Sequence, residues 1–209
     1  MFLSSVDEGD GNREGVVRLT AEPGSAIEPL KADHREIERV LVALETIADR
    51  IERGGEVPVR TLRSAVVFSQ TFVDRCHHGK EELCLFPCLE KRGIPKEGGP
   101  IGMMLHEHQV GRDFVAKIQD ALDRHEQGEK NASELSGLCS DYVAHIRQHI
   151  FKEENVLFRM GDEVMRNEDR LSSLSCYEKT EEEKVGEEKH EEMLELAKEL
   201  ESSGGVSES

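Results

Sequence analysis

From Leu30 the chain repeats apolar positions every three or four residues: Leu30, His34, Ile37, Leu41, Leu44, Ala48 and Ile51 share one stripe, cut off at Gly54-Gly55. A second stripe follows Pro58 through Leu62, Val66, Ser69, Val73, His77, Glu81, Cys84 and Cys88, closing at Gly93 and Pro95, with Pro87 predicted to kink its end. The third opens after Gly98-Gly99-Pro100 with Ile101, Met104, His108, Val115, Ile118 and Leu122, and fades at Gly128. The fourth takes Leu135, Leu138, Tyr142, His145, His149, Glu153, Val156 and Met160 to Gly161. Four amphipathic helices of similar length with short connections predict an all-α, up-down-up-down four-helix bundle over residues 27–162.

The flanks read differently. Residues 1–26 are rich in Gly, Asp and Glu without an apolar period, so a flexible tail is expected. From residue 162 onward 16 Asp/Glu stand against 6 Lys/Arg, yet Leu171, Leu174 and Tyr177, then Met193, Leu194, Leu196, Ala197 and Leu200, keep helical spacing. The expectation is an acidic helical region over 163–201, loosely packed on the bundle, and a disordered tail over 202–209. A wholly disordered acidic tail is the competing reading.

The chemistry lies in what occupies the stripes. His34 takes a core position in the first helix, His77 and Glu81 in the second, His108 in the third, and His149 and Glu153 in the fourth. A single histidine on an apolar face is ordinarily a satisfied core residue. Six ionisable groups on four helices, two of them carboxylates, would each cost several kcal/mol of desolvation unless compensated. Two cations would neutralise both carboxylates and take up the imidazole lone pairs. At ~100° per residue, His77 falls ~20° from Cys84 and His78 ~120° away, which puts His77 and Glu81 inside and His78 at the rim as a further candidate ligand. Glu82 and Glu154 are expected to face solvent, and His106, His125 and His190 to be surface residues.

Composition narrows the partners. A net charge of −17 over 209 residues argues against a nucleic-acid or anionic-membrane surface. No run approaches the ~18 apolar residues of a membrane span, and Met1-Phe2-Leu3 followed by Asp7 and Glu8 lacks an export pattern, so a cytoplasmic protein is expected. Five cysteines, an odd number, point to small buried hydrophobes and not to a disulfide framework; Cys84 and Cys88 lack the spacing of a zinc knuckle. No nucleophile–base pair or phosphate-binding glycine loop is present.

At four segments the chain resembles the hemerythrin-like, HHE cation-binding family: Asp33-His34-Arg35-Glu36-Ile37, His77-His78-Gly79-Lys80-Glu81-Glu82, Glu107-His108-Gln109-Val110-Gly111-Arg112, and His149-Ile150-Phe151-Lys152-Glu153-Glu154. The resemblance implies a non-haem di-iron centre in a four-helix bundle. His34 and His77 would serve one iron and His108 and His149 the other, with Glu81 and Glu153 bridging. Met104 stands where the family's oxygen carriers have a further histidine. No histidine between Glu52 and Arg75 supplies the extra one of its cluster-repair members, which the Glu at i+4 from His149 otherwise resembles. The third imidazole would then come from His145 or His78. Mixed N/O ligands suit two Fe ions, with Mn as runner-up, and not thiolate zinc.

Three roles follow as expectations: a centre that binds or reduces a small oxidant (O2, peroxide or NO), with apolar walls from Phe72, Met104 and Leu105; an iron or redox sensor acting on a protein partner through the acidic C-terminal region; or an iron-holding module without turnover. Whether the chain is an enzyme stays open at this point. Tyr142 reads as a core residue before it reads as a donor to the centre.

Overall fold

The computed structural model describes residues 24–204, which form six helices and, among the described residues, no strand. Helix α1 is Glu28–Glu52. Helix α2 spans 59–91 without a break: it is α-helical over Val59–Phe68, widens to π-helix over Ser69–His78 and again over Glu81–Leu85, and ends α-helical over Phe86–Lys91. Helix α3 is Pro100–Glu126. Helix α4 spans 132–164, with a π-helical stretch at Glu153–Leu157 between α-helical Ala132–Lys152 and Phe158–Val164. Helices α5 (Asn167–Lys184) and α6 (Glu187–Gly204) follow. Of the tail expected over residues 1–26, residues 1–23 lie outside the described residues, while Ala26 is buried in an apolar cluster with Leu30; the last residues of the expected 202–209 tail also lie outside the described residues. Up to Gly204, that second tail continues α6.

Helices α1 to α4 make the bundle: α1 packs on α4, α4 on α3, and α3 on α2. Short connections force neighbours to run antiparallel. The first turns at Gly54, whose φ of 87° is the left-handed conformation that side-chain-bearing residues avoid. Pro87 is the second residue past the second π stretch, so the carbonyl it would crowd, that of Leu83, belongs to a turn already opened.

Packing of the C-terminal pair is closer than the loose contact expected. Helix α6 lies against both α1 and α2. Its Met193 and Ala197 are fully buried and Leu200 nearly so, all three belonging to the same apolar cluster as Ile37, Leu41, Phe68 and Phe72. An Arg39–Glu201 ion pair closes the far end. Helix α5 covers the π-helical part of α2. There the structure corrects the cysteine reading, because Cys84 and Cys176 form a disulfide between α2 and α5. The two residues are 92 positions apart, so nothing in their local spacing announces the bond. Cys76, Cys88 and Cys139 are free.

Two apolar clusters fill the interior, and the ionisable residues separate them on every bundle helix. Along α1, Leu30 belongs to one cluster and Ile37 to the other, with His34 between. The same order recurs around His77 and Glu81 (Val73, then Leu85), around His108 (Met104, then Val115) and around His149 and Glu153 (Ile146, then Leu157). The bundle thus carries one polar layer sealed above and below by hydrocarbon.

Candidate metal centre

Seven side chains make this layer, His34, His77, His78, Glu81, His108, His149 and Glu153, none more than 3% exposed. They fall into two groups whose donor atoms lie within 4.8 Å of one another: His34, His77, Glu81 and Glu153 in one, and His78, Glu81, His108 and His149 in the other. Glu81 belongs to both. Its Oε2 is 3.3 Å from His108 Nε2 and 3.7 Å from His77 Nε2. Glu153 also faces two ways, with Oε2 3.3 Å from His34 Nε2 and Oε1 3.4 Å from His149 Nε2.

The outer nitrogens of four imidazoles are held by a ring of carboxylates that runs once around the bundle. Asp33 on α1 faces His77 Nδ1 at 3.3 Å, Glu82 on α2 takes His108 Nδ1 at 2.8 Å, Glu107 on α3 takes His149 Nδ1 at 3.1 Å, and Glu154 on α4 takes His34 Nδ1 at 2.9 Å. Each carboxylate is the sequence neighbour of one layer residue and grips the histidine of the next helix. Arg112 and Lys152 secure Glu82 and Glu107 in turn.

This ring decides which groups the layer offers inward. An ionised carboxylate only accepts, so each Nδ1 carries a proton, and Nε2 of each neutral ring presents its lone pair inward to a proton or a metal ion. His34 Nε2 and His77 Nε2 are 3.1 Å apart. With both Nδ1 atoms protonated and both rings neutral, two lone pairs face each other there, a contact that a proton or a metal ion between them relieves. Both oxygens of Glu81 and of Glu153, together with Nε2 of His108 and of His149, are buried without a hydrogen-bond partner. Orphaned buried acceptors are rare, and here they converge. The imidazoles' titration shows the same demand for positive charge. Burial opposes charging His34, but Glu153 outweighs it and raises its pKa to about 9. His108, against the same burial, is held well above its usual range by Glu153 and Glu81. A pair of divalent cations would meet this demand directly, and the residues present fit them.

The structure brings His34, His77, Glu81, His108, His149 and Glu153 into one layer, and His78 with them. His78 stacks on His108 with ring centroids 3.8 Å apart. The rim position expected for it assumed α-helical phase. Ser69–His78 is π-helical, each residue advancing by a smaller angle, and over ten residues the accumulated lag swings His78 inward beside His77. His145 stays outside, turning Nε2 to the backbone carbonyl of Glu107 at 2.9 Å. Glu82 and Glu154 are not idle surface carboxylates, since they hold His108 and His34. His106 is exposed, and His125 bonds Asn131. His190 is not a free surface residue, because its ring lies 5.4 Å from that of Phe72. His106→Ala is expected to leave metal content unchanged by elemental analysis; a loss would mean that α3 is rotated from the register described.

Beside the layer, a cavity of about 250 Å³ opens between α2, α3 and α4, walled by Val73, His78, Gly111, Val115, Tyr142 and Ile146 among others. The walls expected from Phe72, Met104 and Leu105 are not these: Phe72 and Met104 are inside the two apolar clusters, and Leu105 packs against one of them. Tyr142 is buried, and burial pushes its hydroxyl up to about 12.

A four-helix bundle with an interior His/Glu layer is the architecture of a metal-binding bundle protein. The model of the hemerythrin HHE cation-binding domain matches residues 25–161, and the chain belongs to that family. It is also similar to uncharacterized proteins of Mycobacterium tuberculosis and Mycobacterium bovis, at 24% identity over 187 residues, which cover 88% of this chain and 72% of each relative. No solved structure matches the chain. Among the described residues, no helix is long and apolar enough to cross a membrane.

Proposed function

We propose that the layer holds two iron ions and that the centre binds or reacts with a small oxidant, O2, peroxide or NO. The observation that carries this reading is the convergence of unpartnered buried acceptors on Glu81, Glu153, His108 and His149. His34 and His77 would hold one ion, His78, His108 and His149 the other, with Glu81 and Glu153 shared. Imidazole and carboxylate together suit iron, with manganese as the alternative. Ferrous ions in such a site supply electrons to a bound oxidant. The chain contributes the rest: the carboxylate ring fixes imidazole orientation, the two hydrocarbon layers exclude water, and the cavity at His78 and Gly111 admits a small apolar molecule.

The test is metal content together with an absorption spectrum as anaerobic ferrous protein meets air. Two irons per chain and a new band in the near-ultraviolet or visible support the proposal. No bound metal after reconstitution under reducing conditions overturns it. A Cβ on Gly111 would meet Ile146 Cδ1 at 3.4 Å in the cavity wall. Gly111→Val is accordingly expected to slow the spectral change severalfold with metal content intact, as stopped-flow absorbance would read.

One observation favours a second reading, an iron or redox sensor. From His77 a polar chain leads through Asp33 to Lys80 Nζ (3.2 Å) and on to Glu181 of α5 (2.6 Å). A change at the centre therefore has a physical route to the acidic C-terminal helices, where a protein partner would dock. Protease sensitivity of residues 167–204 that changes with iron oxidation, without turnover of oxidant, would select this reading.

A further inference from the structure

Where the turn between α5 and α6 meets α2, Cys76, Glu181 and His190 bring three different donor atoms together. Cys76 Sγ is 3.7 Å from Glu181 Oε2 and 3.6 Å from His190 Nδ1, and those two are 3.5 Å apart. We propose that this triangle is a separate, mononuclear metal site for zinc, formed only when the C-terminal helices are seated on the bundle.

The edge lengths carry the argument. An N–H···O hydrogen bond spans about 2.7–3.2 Å, so the His190–Glu181 edge is too long to be a good one. A zinc ion bound at about 2.3 Å to sulfur and about 2.0–2.1 Å to nitrogen and oxygen separates tetrahedral donors by about 3.3–3.6 Å, and all three edges fall within ~0.2 Å of that range. The donor set, one thiolate, one imidazole and one carboxylate, is borderline-soft and suits zinc, unlike the thiol-free central layer. Three protein ligands leave the fourth tetrahedral position to water.

The surroundings are consistent in charge. Lys80 Nζ lies between Asp33 at 3.2 Å and Glu181 Oε2 at 2.6 Å, so its ammonium is shared between two carboxylates. Asp33, Glu181 and a Cys76 thiolate bring three negative charges, which Lys80 and a divalent ion balance. On binding, the Cys76 S–H bond gives way to an S–metal bond and the proton leaves to solvent. Cys76 is fully buried, whereas His190 and Glu181 expose 16% and 30% of their side chains, so the ion enters from the helix-turn side. Glu181 ends the last turns of α5, Gly186 (φ 83°) makes the reversal, and His190 opens α6. The ion would thereby clip this reversal to α2, one residue from His77.

Cobalt(II) replaces zinc in such sites and gives a thiolate-to-metal charge-transfer band that imidazole and carboxylate ligands cannot produce. Full-length protein carrying its native metal is titrated with cobalt(II) under anaerobic conditions without reductant, so that the Cys84–Cys176 bond stays intact, and zinc is then added as competitor. The proposal expects one thiolate–cobalt equivalent per chain, displaced by zinc, abolished in Cys76→Ser and weakened about tenfold or more in His190→Gln. His190→Gln changes a partly exposed residue and keeps the test decisive if Cys76→Ser does not fold. Absence of the band in folded wild-type protein, or its persistence unchanged in His190→Gln, overturns the proposal. Because the band requires sulfur, its failure leaves the iron reading of the central layer untouched, and the converse also holds.

Discussion

Glu81→Ala is expected to take the protein from two bound ions per chain to none, a larger loss than any single histidine substitution in the layer. Removing one histidine deprives one group of one donor. Glu81 is the residue that both groups share, it is fully buried, and neither of its oxygens has a hydrogen-bond partner in the protein. Its replacement removes a donor from each group together with one of the layer's two shared negative charges. Stability should follow metal content. A ligand present at 1,000 times its Kd stabilises the fold it binds by about 4 kcal/mol. Added ferrous ion should therefore raise the midpoint of thermal unfolding of the wild-type protein and leave that of Glu81→Ala where it was. Elemental analysis and calorimetry on the same samples check both. Two ions retained in Glu81→Ala would remove the assignment of the layer as the metal centre.

Much of this centre is legible in the sequence, because a helical stripe is a strong signal and a buried charge is an exception to it. His34, His108 and His149 sit on stripes whose α-helical phase the structure keeps through those residues. His78 departs from its expected rim position through a backbone effect: a π-helical stretch shifts the phase, whereas a fixed angle per residue describes only a constant turn. The carboxylate ring escaped for a different reason. Asp33, Glu82, Glu107 and Glu154 lie off the stripe, where acidic residues are common, and their purpose shows only when the neighbouring helix places a histidine opposite. The pattern that would have found them is local: each sits immediately beside a layer residue, as in Asp33-His34 and Glu107-His108. Contacts of long range left no local trace at all. Neither the Cys84–Cys176 bond nor the approach of His190 to Cys76 follows from spacing, since both depend on how α5 and α6 fold back on α2.

Removing one carboxylate of the ring should weaken one ion and spare the other. Glu107 holds His149 Nδ1 at 3.1 Å and is itself held by Lys152; against its burial, these partners lower its pKa to about 2, so it is ionised at every pH at which the protein would be studied. In Glu107→Leu the imidazole loses both its hydrogen-bond acceptor and the charge that makes Nε2 a better donor, and outer partners of this kind contribute about 10–100-fold in metal affinity, or about 1.4–2.7 kcal/mol. Glu107→Gln keeps an acceptor oxygen for Nδ1 and loses only the charge, so its deficit should be the smaller of the two. Ordering Gln above Leu separates the hydrogen bond to Nδ1 from simple loss of the carboxylate, which would penalise the two alike. The opposite corner provides the internal comparison. Glu154 holds His34, a member of the other group, and is 38% exposed, so Glu154→Leu should weaken the other ion, and by less. Chelator competition followed at two ions per chain would then show release split into two phases in each variant, with the fast phase drawn from different ions. A uniform weakening of both ions by either substitution would mean that the ring acts on the layer as a whole and not one histidine at a time.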